Sequence, residues 1–118
     1  MAEIHLDPDV LSDLQEVMES EYPTLLDTFI EDSQERVAAL RKAGGDAKTL
    51  GRIAHSFKGS SGNLGAVRLA QLCELLEAEA VEAASDLSAL VDQIDHEFAL
   101  VKPLYECRSE LAREKRQR

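Results

Sequence analysis

Ala54-His55-Ser56-Phe57-Lys58-Gly59-Ser60-Ser61-Gly62-Asn63-Leu64-Gly65 is the stretch on which the reading of the fold turns. Leu50, Ile53, Ala54, Phe57, Ser61 and Leu64 recur at i, i+3/i+4 spacing, the pattern of a helix with one buried stripe. Yet Gly51, Gly59 and Gly62 lie in the same run, and each costs a helix interior roughly 1 kcal/mol relative to Ala. Something on this helix needs positions without side chains. His55 is the one titratable imidazole among those glycines.

Helical signals continue on both sides. Asp7-Pro8 marks a helix start, with Asp as N-cap and Pro at the first helical position. This short helix, about 7–18, carries Val10, Leu11, Leu14, Val17 and Met18 on one side. Ser20-Glu21-Tyr22-Pro23 repeats the start signal, and a helix over about 21–43 follows through Leu25, Leu26, Phe29, Ile30, Ser33, Val37 and Leu40. Gly44-Gly45 stops it, and Asp46 restarts the chain into the His55 helix, about 46–62. A helix over about 65–84 carries Val67, Leu69, Leu72, Cys73, Leu76, Ala80 and Ala83. Ser85-Asp86 is a turn and N-cap, and the last helix, about 86–113, carries Leu87, Leu90, Val91, Ile94, Phe98, Val101, Leu104 and Leu111, with a kink expected at Pro103. No period-2 strand pattern occurs. Four long amphipathic helices with short connections predict an all-α, up-down-up-down four-helix bundle capped by the short N-terminal helix, a single domain over 1–118.

Composition narrows the function. The formal net charge is −10, which disfavours nucleic acid and anionic membrane as partners. The short basic tail 113–118 suits the negative end of the last helix dipole. Cys73 and Cys107 lack CxxC spacing and read as buried thiols. His5, His55 and His96 are too dispersed to suggest a metal site. No signal peptide and no long apolar run are present, so the protein is expected in the cytoplasm, and small bundles without a spare apolar face are expected to be monomers.

A helical wheel centred on Phe57 places Leu50, Ile53, Ala54, Ser61 and Leu64 within roughly 60° of it, and His55 roughly 160° away, on the exposed side. Gly51, Arg52, Lys58, Gly59 and Gly62 share that outward half, and no acid of this helix does. An imidazole, two cations and three positions without side chains suit acceptance of a phosphoryl group. Neutral imidazole is a nucleophile near neutral pH. Lys58, one turn on, can offset the charge of a phosphorylated product, and Arg52 can assist. Gly59 clears space for an in-line donor. The plain alternative is a solvated helix face on which His55 is an ordinary surface residue, Gly51 marks helix entry and Gly62 and Gly65 its end; Gly59 fits it least, since Phe57 and Ser60-Ser61 continue the helix around it.

The run His55-x-Phe57-Lys58-Gly59-Ser60-Ser61-x-Asn63-Leu64-Gly65 resembles the signature of histidine-containing phosphotransfer (HPt) domains at every fixed position. The resemblance implies a four-helix bundle with the phosphorylated histidine exposed at mid-helix. It implies transfer through Nε2 of His55, from an aspartate of a hybrid sensor kinase receiver domain and on to a response regulator's receiver domain. Family members often carry Glu or Gln 22 positions after the histidine, where it accepts a hydrogen bond from Nδ1; here that residue is Glu77. No P-loop signature occurs, so the chain is read as a phosphocarrier without an ATP site or cofactor of its own, with Mg²⁺ supplied by the partner receiver domain.

The expected partner surface is the cationic, glycine-cleared side formed by Arg52, Lys58, Gly59 and Gly62, with an apolar contribution from Leu11 or Leu14 of the first helix. Receiver domains present an acidic pocket that such a surface complements. A competing reading is a phosphorylation-independent helical adaptor that binds or sequesters a signalling partner through its helix faces and does not need His55.

Overall fold

The structure is a computed structural model and describes residues 4–82 and 86–116, with no side-chain description for Arg116. Ala83 and Ser85, placed by sequence on an apolar stripe and in a turn, lie outside the described residues, as does the end of the basic tail. Five α-helices make up the described chain: α1 Pro8–Met18, α2 Tyr22–Ala43, α3 Ala47–Asn63, α4 Val67–Glu82 and α5 Ser88–Arg116. There is no strand among the described residues, and the architecture is the expected helical bundle with a short N-terminal helix.

The starts of α1 and α5 follow their capping chemistry, whereas Asp46 ahead of α3 accepts from the Thr49 hydroxyl. The Asp7 side chain accepts from the backbone N–H groups of Asp9 and Val10, and Pro8 opens α1. Asp86 accepts from Ser88 N ahead of α5 in the same way. Ser20 does not cap α2. A 3-10 turn, Glu19–Glu21, joins α1 directly to α2, with Glu19 at a positive φ of 48°. Gly44 ends α2 at φ +60°.

Around the bundle the order is α2, α3, α4, α5, so α3 neighbours α2 and α4 and lies diagonally opposite α5. The core is Leu26, Phe29, Ile30 and Leu40 of α2; Leu50, Ala54 and Phe57 of α3; Leu69, Leu72, Cys73 and Leu76 of α4; and Val91, Ile94, Phe98, Val101 and Tyr105 of α5. The α3–α4 corner is clamped from two directions. Buried Tyr105 donates its hydroxyl to Leu64 O at 2.7 Å, and the Asp7 N–H donates to Gly65 O at 2.8 Å. Gly65 sits at φ +76°, where a Cβ would lie 3.1 Å from Asp7 O, so only glycine fits this corner.

Several apolar assignments shift. Cys73 is buried, and burial pushes its thiol up to about 12, but Cys107 is exposed. Cys107 falls roughly 160° around the helix from Tyr105, away from the buried face. Leu104 and Leu111 share that exposed side, as Val17 does on α1. α5 runs through Pro103 without a break. Arg113, read as a dipole partner, instead reaches back to α2, donating to Asp27 at 2.6 Å and to Ser109 at 2.7 Å.

Candidate phosphoryl-acceptor site

His55 projects from the middle of α3 with its side chain 70% exposed, while Ala54 and Phe57 beside it are wholly buried. Its Nδ1 lies 2.6 Å from Oε2 of Glu77, one helix away on α4. The other carboxylate oxygen, Oε1, accepts from Lys58 Nζ at 2.9 Å. Glu77 therefore bridges imidazole and ammonium. A carboxylate only accepts hydrogen bonds, so Nδ1 carries the proton and Nε2 keeps its lone pair.

The charges hold one another in place. The Lys58 ammonium, helped by His55, keeps the Glu77 carboxyl below its usual range, against the opposing effect of desolvation. Glu77 in turn raises Lys58, with Glu74 adding to the effect. The carboxylate is thus ionised at neutral pH and fixes the imidazole's orientation. The arrangement supplies an exposed sp² nitrogen with a lone pair, backed by an anion able to stabilise positive charge on the ring as a new N–P bond forms.

The glycines fall into different classes. A Cβ on Gly59 or Gly62 would meet nothing within 4 Å, so both face open space on the His55 side of α3. Gly51 does not belong with them: its added Cβ would stand 3.3 Å from the Cβ of Ala80. Gly51 lets α3 and α4 approach closely and is not part of the outward face. Arg52 is exposed on that face. Leu11, expected to contribute to a docking surface, is fully buried and cannot touch a partner, because α1 turns that side into the core; Leu14 is half-buried beside it.

Sequence reasoning missed a further residue here. Arg36 reaches across from α2, its Nη2 donating to Ser56 Oγ at 3.1 Å, next to His55. The available signal was its position one turn from both Ser33 and Leu40, at the edge of the buried stripe of α2.

Comparison with known proteins agrees with this geometry. The Hpt domain family model matches residues 24–113. Among solved structures, the chain is similar to the histidine-containing phosphotransfer protein B (HptB) of Pseudomonas aeruginosa PAO1, at 48% identity and a TM-score of 0.88, with 92% of this chain and 97% of that one covered. No match is found among curated proteins. No described helix is long and apolar enough to cross a membrane. With three quarters of its length inside the family model and an exposed histidine held by a carboxylate, the chain belongs to the Hpt domain family, phosphocarrier modules that serve histidine phosphotransfer in two-component signalling and interact with receiver domains.

Proposed function

We propose that this protein accepts a phosphoryl group on Nε2 of His55 from the aspartyl phosphate of a hybrid sensor kinase's receiver domain, and passes it to the receiver domain of a response regulator. The observation that carries this reading is the 2.6 Å contact between His55 Nδ1 and Glu77, which leaves Nε2 as the available nitrogen on a largely exposed ring. In the transfer, the Nε2 lone pair attacks phosphorus in line, the P–O bond to the aspartate breaks, and the aspartate leaves as carboxylate. The ring becomes cationic while its Nδ1 proton stays on the hydrogen bond to Glu77, whose negative charge offsets the new positive one. The reverse sequence delivers the group onward.

Lys58 has two tasks in this scheme. At rest it anchors Glu77, and its flexible stem lets the ammonium turn to the phosphoryl oxygens once they arrive. Gly59 and Gly62 admit the partner's surface, and Arg52 offers it positive charge. Mg²⁺ and the acidic pocket belong to the receiver domain, and the exchange takes place in the cytoplasm.

The test is transfer from a phosphorylated receiver domain. Wild-type protein gains an acid-labile, base-stable phosphoryl group, and His55→Gln gains none. Labelling of His55→Gln overturns the assignment.

A further inference from the structure

The groove between α2 and α3 holds observations that the His55, Glu77 and Lys58 group does not account for. Asp32, Glu35 and Arg36 of α2 and Arg52, Ile53 and Ser56 of α3 line it around a volume of about 470 Å³. Arg36 is poorly satisfied there. Its Nη2 donates to the neutral hydroxyl of Ser56 at 3.1 Å, and its Cζ lies 5.9 Å from the centre of the Phe57 ring. Its Nη1 is buried without a hydrogen-bond partner. Neither Arg36 nor Arg52 forms an ion pair among the described residues, although Asp32 and Glu35 share the groove.

A guanidinium is a planar fork of donors matched to a carboxylate. Here one fork is held by a single hydroxyl and a loose ring contact, so turning it outward breaks one hydrogen bond to an uncharged acceptor and that ring contact. The other stands exposed across the same groove. No acid of the chain is hydrogen-bonded to either guanidinium among the described residues, and Asp46 acts on Arg52 only through its charge. Arg52, Ser56 and Gly59 follow one another at i, i+4 and i+7, a stripe directly beside His55. A protein seated over His55 and the open position at Gly59 also covers this groove.

We propose that the α2–α3 groove is a specificity subsite that receives a carboxylate side chain from the docking receiver domain, with Arg36 turning from Ser56 to pair with it and Arg52 as the second donor. The subsite rests on the reading of His55 as a phosphoryl acceptor served by receiver domains. It selects among partners by pairing: a receiver with a carboxylate at this place pairs with Arg36 and Arg52, and one with a lysine there leaves both guanidinium groups without a partner. Ser56 is the resting partner that keeps Arg36 folded down until the carboxylate arrives.

The experiment follows transfer to this protein from a set of receiver domains charged with acetyl phosphate, some with a carboxylate on the docking face and one with that carboxylate reversed to lysine. Arg36→Gln and Arg52→Gln are each expected to raise the half-saturating concentration of a carboxylate-bearing receiver by about tenfold, as loss of one charge pair does, with the saturating rate within about twofold of wild type. Arg36→Glu is expected to restore use of the lysine-reversed receiver. Thermal melts confirm folding, and exposed Arg52 provides a variant whose fold is not in question if Arg36→Gln melts early. Half-saturation unchanged in Arg52→Gln, or a reduced saturating rate at constant half-saturation, overturns the subsite while normal wild-type transfer leaves the His55 reading standing. A wild-type protein that accepts phosphoryl from no receiver overturns both.

Discussion

The molecule contains the same hydrogen bond twice. His55 Nδ1 meets Glu77 Oε2 at 2.6 Å, and His5 Nδ1 meets Glu97 Oε2 at 2.6 Å. Their surroundings differ. Around the first bond the imidazole is 70% exposed and the carboxylate 28%; around the second the values are 34% and 5%. Glu77 has a second cation, Lys58, whereas Glu97 is a buried acid whose bond ties the N-terminal arm to α5. Chemistry at the first pair needs an accessible nitrogen, while the second has the burial of a structural tether. An imidazole–carboxylate contact therefore supports the proposed phosphoryl acceptor only where it leaves the far nitrogen on an exposed ring, as at His55.

Exchanging histidines gives the largest expected contrast. His55→Gln abolishes phosphoryl acceptance from a charged receiver domain, whereas His5→Gln retains it. Equal loss in both would erase the distinction between the pairs. Glu77→Ala comes next, slowing transfer roughly 10- to 100-fold, as loss of a group that orients a reactive imidazole does. Its melting temperature should stay near wild type, because His55 is largely exposed and Lys58 keeps contact with solvent.

The pH dependence sharpens the same point. Glu77's carboxyl is depressed in the folded protein, so its anchoring of His55 and Lys58 is present above the usual carboxylate range and is lost as pH falls through the lowered value. The Lys58 half is present below the usual lysine range and is lost only as pH rises through its elevated value. An NMR titration of the Glu77 carboxyl carbon should show the lowered midpoint, and Lys58→Ala should move it upward. An unmoved midpoint would show that Lys58 does not hold the carboxylate.

At the second pair the expected effect is on stability. His5→Ala strands the buried Glu97 carboxylate and should destabilise the fold by about 1–3 kcal/mol in urea unfolding, with transfer rates unchanged. Smallest is Gly59→Ala. Nothing stands within 4 Å of the new methyl group, so recovered helix propensity should add about 0.5–1 kcal/mol of stability.

The sequence made the helices legible because their stripes are periodic and their ends are marked by Asp7-Pro8, Gly44 and Gly65. It placed His55 outward because the wheel of α3 is unambiguous around wholly buried Phe57. The link to Glu77 came from family resemblance, since nothing in periodicity joins residues 22 apart on different helices. His5 and Glu97, 92 apart, had no local signal at all. Cys107 and Leu111 misled because apolar residues also occupy exposed helix faces. Gly51 and Gly59 look alike as letters, and only the distance to Ala80 separates a packing glycine from one facing space. Arg36 was hidden by its chemistry: a long cation on a helix reads as solvated until its contact with Ser56 is seen.

Gly59 carries a consequence for anyone who tries to improve this protein. A laboratory selection for heat resistance would replace it early, since the helix gains and no neighbour objects. On the proposed function, a selection for signalling would discard larger replacements, since they would occupy the space assigned to the docking receiver domain. The two screens would choose opposite alleles at one codon, and a catalogue of stabilising substitutions would list as a defect the position that the proposed function needs bare.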